Sequence, residues 1–486
     1  MRSSSPFPAS DVQPPPGRVS SWLLVLAALL ALLTLFAPAA VHAQEDPAKR
    51  VAELVEQLRS PAADTRHDAA RALMLMGGKA SAAARELIRL IPRESDEYVR
   101  RQMVRTLGRI EADAGTIVTP LLQVLTSDTD AECRRMAALG LGGLGAAGVA
   151  ALPGLASALA ADRDETVRAA VANAIGDMET AAVAVLAALT SALRDPDADV
   201  RDNAARAIGR VGPAAKDAVP ALTAALKDPQ LRVRAAAARA LAAIGTAALP
   251  ARDALIELLK DTASEATFAR NAAAYALGCF GADAALAVPV LVEVLVSGPA
   301  DTRASAATAL GSIGSAAAVT GVPVLVKALA SEDAELRAAA ATALAAFRPA
   351  TAEALQGLIG LLRDPAATVR YSAVCTLRVF GPAAVGAKRD LERIARRDEI
   401  EGLRYTAIGA LAAIGIDQSA RVQDLIAAAT ADPARLTTTR REAIRALGDI
   451  GPPASEALGT LTDISMQDAD PATRDLALDS LRRIRK

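Results

Sequence analysis

Apolar residues recur along this chain in a frame fixed on an arginine. In DVRDNAARAIGRVG they stand three, four, seven and ten residues after Arg201, at Ala204, Ala205, Ile208 and Val211. That spacing is one face of an amphipathic helix. A glycine eleven residues after the arginine, here Gly212, predicts the helix end. The frame returns at Arg66, Arg100, Arg134, Arg168, Arg234, Arg270, Arg303, Arg337, Arg370, Arg404, Arg440 and Arg474, giving thirteen copies spaced 33 to 36 residues apart. A second helical pattern fills the rest of each copy, as in AVPALTAALKD from Ala218 to Asp228. Asp-Pro or an acidic cluster turns the chain between copies, and Asp197 is placed to cap the helix that carries Arg201. The predicted unit is helix–turn–helix, and such units bury their apolar faces only by stacking on one another. The expected fold class is all-α, a right-handed α-solenoid of stacked helix–turn–helix repeats.

The motif D-x-x-V-R-x-x-A-x-x-A-L-G-x-I-G resembles the HEAT-like repeat family, in particular the short Ala-rich repeats similar to those of phycobilin lyase subunits. The likeness covers residues 44–486, read as a single solenoid of about thirteen repeats. It implies a binding scaffold whose second helices line a concave surface. An enzyme subunit, such as a HEAT-like lyase handling a prosthetic group, is the alternative that the same resemblance implies.

The hexapeptide GLGGLG, Gly140 to Gly145, matches the glycine fingerprint of dinucleotide-binding folds. That fingerprint needs a strand before it and a helix opening at it. Here a repeat helix precedes it and is ending, so the glycines belong to the third repeat and no cofactor is expected.

Composition changes the picture at the N-terminus. A Pro/Ser-rich start with Arg2 and Arg18 leads into the apolar run Trp22 to Phe36 and then the small-residue stretch Val41-His42-Ala43. This reads as a secretory signal peptide, residues 1–43, and places the mature chain in the periplasm or outside a bacterial cell. Retained, residues 22–41 would instead be an inner-membrane anchor, giving a membrane-anchored scaffold. Membrane contact is expected only in that case. A net charge of -1 gives no general attraction to nucleic acid, and none is expected as a ligand.

Chemistry has few residues to run through. His67 is the one histidine after residue 43, so no catalytic triad or histidine-rich metal site is expected. Cys133, Cys279 and Cys375 fall in the third, seventh and tenth repeats. Stacking sets the nearest two roughly 30 Å apart, whereas a disulfide needs about 7 Å. Cys375 near Tyr371 is the thin candidate for a lyase-type site. The recurring arginines are preceded by acids four or six residues earlier, which predicts an Asp–Arg ladder between stacked turns.

Binding residues are sought one, five and nine positions after each ladder arginine, on the side opposite the packing face. Early repeats place Arg101, Arg105, Arg109, Arg135, Arg206, Arg210 and Arg239 on that ridge. The seventh to eleventh repeats leave it uncharged and carry Tyr275, Tyr371 and Tyr405, the last two at identical repeat positions. A basic ridge suits an acidic partner, and exposed tyrosines beside small residues suit a protein or peptide segment. The expected function is a non-catalytic protein-binding scaffold. Arg378 replaces the usual small residue eight positions after Arg370, predicting a looser contact between the tenth and eleventh repeats.

Overall fold

The computed structural model of the chain describes residues 46–486, apart from positions 262, 264, 265 and 432. The expected signal peptide or anchor lies outside the described residues. Two compact units divide the chain, one ending at Ala112 and the other running from Asp113 to Lys486. Every helix pair consists of a helix A and a helix B that carries one of the repeating arginines.

The first unit holds α1 (Pro47–Gln57) with α2 (Ala63–Met76), and α3 (Ala84–Leu90) with α4 (Glu97–Leu107). The second begins with α5 (Ala114–Ser127) and α6 (Ala131–Gly142), α7 (Leu152–Ala161) and α8 (Glu165–Gly176), and α9 (Leu186–Ala192) and α10 (Ala198–Val211). It continues with α11 (Val219–Ala225) and α12 (Leu231–Ile244), α13 (Arg252–Leu259) and α14 (Thr267–Cys279), and α15 (Val288–Ser297) and α16 (Ala300–Ile313). Next come α17 (Ala318–Ala328) and α18 (Ala334–Leu344), and α19 (Ala352–Leu361) and α20 (Ala367–Phe380). The last three pairs are α21 (Lys388–Arg397) and α22 (Glu401–Ala413), α23 (Val422–Ala429) and α24 (Pro433–Ile450), and α25 (Leu458–Gln467) and α26 (Pro471–Ile484). No strand occurs among the described residues.

The frame of apolar residues is the core. Ala204, Ala205, Ile208 and Val211 of α10 are all buried, as are Ala237, Ala238, Leu241 and Ile244 of α12. Consecutive B helices approach closely because the position eight after the arginine is small. A Cβ on Gly142 would lie 2.8 Å from the Ala174 Cα of the next B helix. This explains why Gly142 cannot be larger, and it completes the account of the GLGGLG match.

A left-handed residue ends most B helices. Gly212 has φ +70, and a short 3-10 helix, Gly212–Ala218, then leads into the next A helix. The sequence pattern predicted the glycine but not the 3-10 segment. Glu111 and Glu179 occupy the same register position and still take φ 51 and 50. The local geometry is therefore imposed by the repeat even where the residue disfavours it.

Turns are built by aspartate and arginine together. Asp197 caps α10 by accepting from the amides of Asp199 and Val200. Arg201 donates from Nη1 to the Asp195 carbonyl of its own turn, 2.8 Å, and from Nε to the Asp228 carboxylate of the next turn, 2.6 Å. Asp228 in turn offers its carbonyl to Arg234. The same pairing joins Arg66 to Glu94 in the first unit. In the second unit it joins Arg134 to Asp162, Arg168 to Asp195, Arg337 to Asp364, Arg370 to Asp398 and Arg440 to Asp468. The ladder runs forward: the acid six residues before one arginine serves the arginine of the preceding repeat.

Candidate functional site

The B-helix face, where the ridge positions fall, divides into stretches of different character. In the first unit Arg71, Arg105 and Arg109 are exposed, and Arg101 stands 3.7 Å from Glu97 on the same helix. In the second unit the four candidate arginines are all engaged. Arg135 pairs with Glu132 at 2.6 Å, Arg206 with Asp202 at 2.8 Å, and Arg210 with Asp177 at 2.6 Å. Arg239 lies 5.9 Å from the centroid of the Phe268 ring, a cation–π distance. The expected basic ridge is therefore reduced in this unit: acids three or four positions away on the same helix, or on the neighbouring one, pair with three of its four arginines, and Arg239 faces an aromatic ring. Glu132 and Asp202 stand one helical turn from their arginines in the sequence and were the signal to weigh, whereas Asp177, 33 residues before Arg210, gave none.

The middle stretch is neutral at its ridge positions. Tyr275 on α14 is 60% exposed. It overlooks a groove of about 250 Å³ lined by Cys279, Ser305, Thr308, Ser312 and Glu335 among others. Thr308 and Ser312 donate their hydroxyls to carbonyls of their own helix, at 3.0 and 3.1 Å, as Thr342 does at 2.9 Å. Their methyl and methylene groups are left to form an uncharged, weakly polar surface.

The third stretch is closed by its own side chains. Tyr371 donates its hydroxyl to Glu442 at 3.0 Å, two repeats onward. Burial and the neighbouring Cys375 and Glu442 raise its phenol above the ordinary range. Tyr405 packs against the core of the last repeats and donates to Glu401 at 3.0 Å. Burial, with Glu401 beside it, pushes its phenol up to about 12. The two tyrosines share a repeat position but not an environment, because the partner helices on either side differ. Tyr371 keeps 38% of its surface exposed with its hydroxyl taken by Glu442, Tyr405 is half-buried, and Tyr275 is the most exposed of the three.

The residues considered for chemistry are also placed. His67 stacks on Tyr98 with ring centroids 4.3 Å apart. All three cysteines are free, with Cys133 buried and Cys279 exposed. Burial pushes the Cys375 thiol up, away from the thiolate that a nucleophile needs. The B helices of the tenth and eleventh repeats pack more sparsely than any other consecutive B pair of the second unit, as Arg378 led one to expect, and its guanidinium is held 3.1 Å from Asp449 of the twelfth repeat.

Stacked helix pairs tied by a turn ladder define the class of α-solenoids. Models of HEAT repeats match residues 118–191, 186–278 and 288–378, more than half of the chain, and the chain belongs to the HEAT-repeat family. Among solved structures, yeast importin-β (Kap95p) is similar with a TM-score of 0.54 and 14% identity, over 91% of this chain and 67% of that one. Importin-β crystallised in ammonium sulfate gives 0.52 and 18%, over 89% and 67%. The karyopherin Kap121p bound to the extreme C-terminus of the phosphatase Cdc14p gives 0.51 and 14%, over 96% and 65%. This chain thus spans about two thirds of the length of those proteins, and at these identities the likeness is one of fold. No curated protein matches the sequence.

Proposed function

We propose that this chain is an exported, non-catalytic scaffold that holds a protein segment on the B-helix face of its seventh to ninth repeats. One observation carries the reading: Tyr275 stands exposed over a groove lined by small and neutral side chains, with Glu335 as its one charged lining residue. An exposed tyrosine brings large contact area at low entropic cost, and small neighbours let a partner backbone approach. The karyopherin in the Cdc14p complex, of the same fold, takes the end of another protein, which supports a peptide-like partner here. Export rests on the N-terminal pattern of charge, apolar run and small residues.

Photocrosslinking tests the site. A benzophenone amino acid at position 275 should capture a defined partner that the same group at position 285, in the 3-10 helix Gly281–Ala287, does not. Tyr275→Ala should lower recovery of that partner at least tenfold. Equal capture from both positions would overturn the assignment. Mass spectrometry of the mature N-terminus should find Gln44, and Met1 retained would place the scaffold on a membrane instead.

A further inference from the structure

The tenth, eleventh and twelfth repeats share a contact with no counterpart in the ladder. Along α22 the positions five, eight and nine after Arg404 are Gly409, Ala412 and Ala413. Beyond Tyr405 the middle helix of the three therefore carries only small side chains on this face. Side chains from its two neighbours meet across it. Tyr371 on α20 reaches Glu442 on α24 at 3.0 Å, and Arg378 reaches Asp449 at 3.1 Å, each across 71 residues of chain. Thr406 also donates to Glu442 at 3.2 Å, and Arg445 pairs with it from its own helix. Arg483 on α26 takes the other oxygen of Asp449. Glu442 is 4% exposed and the Asp449 side chain 5%, so these charges are held away from water.

Gly409 is what lets the pairs close. A Cβ at that position would stand 2.6 Å from Asp449 Oδ2 and 3.4 Å from the Ala446 Cα. Glycine inside a helix is unfavourable by about 1 kcal/mol relative to alanine, and here the close approach accounts for it. A hydrogen bond and an ion pair that leap a repeat also require the outer two B helices to converge. Ladder rungs, by contrast, join adjacent turns.

We infer that these residues form a clasp: Tyr371 and Arg378 close onto Glu442 and Asp449, fix the bend of the stack across three repeats, and shut the B-helix face over Gly409. A polypeptide lying along the face from the Tyr275 side meets a filled surface at Tyr371. With the clasp open, the two acids become available to basic groups. The clasp is a two-state element in the sense that a buried, multiply paired charge is either fully held or exposed, with little stability between.

Cys375 reports on it. The thiol sits beside Tyr371, Arg378, Glu442 and Arg445. In a Cys279→Ser background, N-ethylmaleimide should modify Cys375 slowly and leave the buried Cys133 untouched. Arg378→Gln with Tyr371→Phe, and separately Gly409→Val, should speed modification of Cys375 at least tenfold with Cys133 still protected. A fluorophore pair placed at positions 353 and 424 through unnatural amino acids should then read a longer, broader distance. Unchanged alkylation in both variants would overturn the clasp, and faster alkylation at an unchanged distance would overturn its hold on the bend. Should Cys133 become reactive, the variant has unfolded, and Tyr371→Phe alone supplies the reading: the same rate as the parent sinks the proposal.

Discussion

The turn edge and the B-helix face of the last repeats both hold arginine against a buried carboxylate, yet they do so by different rules. At the edge, Arg168 meets Asp195 and Arg201 meets Asp228, each 27 residues on. The partner there follows from the repeat length. On the face, Arg378 meets Asp449 after 71 residues, and no neighbouring repeat holds an equivalent pair among the described residues. The edge is therefore generic structure, present because each turn must satisfy its own backbone and its neighbour's charge. The face is particular to these repeats, and departures from the repeat, not the repeat itself, mark where this solenoid differs from any other.

The largest effect should come from breaking a rung. Arg201 is 11% exposed and Asp228 7%, and Arg201 also holds the carbonyl oxygens of Asp195 and Pro196. Arg201→Ala leaves a buried carboxylate and those carbonyls without their donor, which should cost about 3 kcal/mol. On the same helix, Arg210→Ala removes a pair exposed on both sides, 43% and 37%, and should cost under about 1 kcal/mol. Hydrogen exchange of α10 and α11 amides measures both locally, which suits an array whose repeats need not unfold together. Equal losses at the two positions would erase the distinction between edge and face.

Acid should act chiefly on the edge. Burial works against ionisation of Asp195, Asp228, Asp364 and Asp398. The facing guanidinium and a backbone amide two residues ahead outweigh it, and all four carboxyls sit below their ordinary value. The unfolded chain then binds protons more readily than the folded one. The ladder's contribution is complete above the unfolded value of about 3.9 and is lost as pH falls through the folded one. Melting temperature should stay level from about pH 8 to 5 and drop below about pH 4. Arg201→Ala should make that drop shallower, having already removed one of the linked groups.

This contrast also explains what the sequence made legible. The helix frame, the glycine ends, the Asp197 cap and the ladder were visible because each depends on residues within one repeat or the next. The groove under Tyr275 was half visible: the missing charges showed, but not the way Thr308 and Ser312 turn their hydroxyls back into their helices. Tyr371 and Tyr405 were misread as a pair because a repeat frame carries no information about a helix two units away. Gly409 and Glu442 gave no signal separately. Their meaning depends on how far the stack bends, which is a property of all the interfaces between them.

The smallest expected effect sharpens the comparison from the other side, by adding a rung. Six residues before Arg337 the chain has Ser331 where the turns that complete a rung, such as those of Asp195, Asp228 and Asp364, have aspartate. Arg303, the arginine of the preceding repeat, donates from Nε to the Gly298 carbonyl at 2.8 Å, and its guanidinium meets no carboxylate among the described residues. Ser331 already accepts from the Asp333 amide at 3.2 Å, as Asp195 accepts from Asp197 at 2.9 Å. Ser331→Asp keeps that turn and adds the missing charge. Partly exposed, the new pair should stabilise the eighth and ninth repeats by about 1 kcal/mol at neutral pH, read as slower amide exchange in α16 and α18. Because the gain requires the ionised carboxyl, it should vanish below about pH 4. A gain that persisted in acid would mean that the aspartate acts through the turn alone, and that the ladder's charges matter less than its hydrogen bonds.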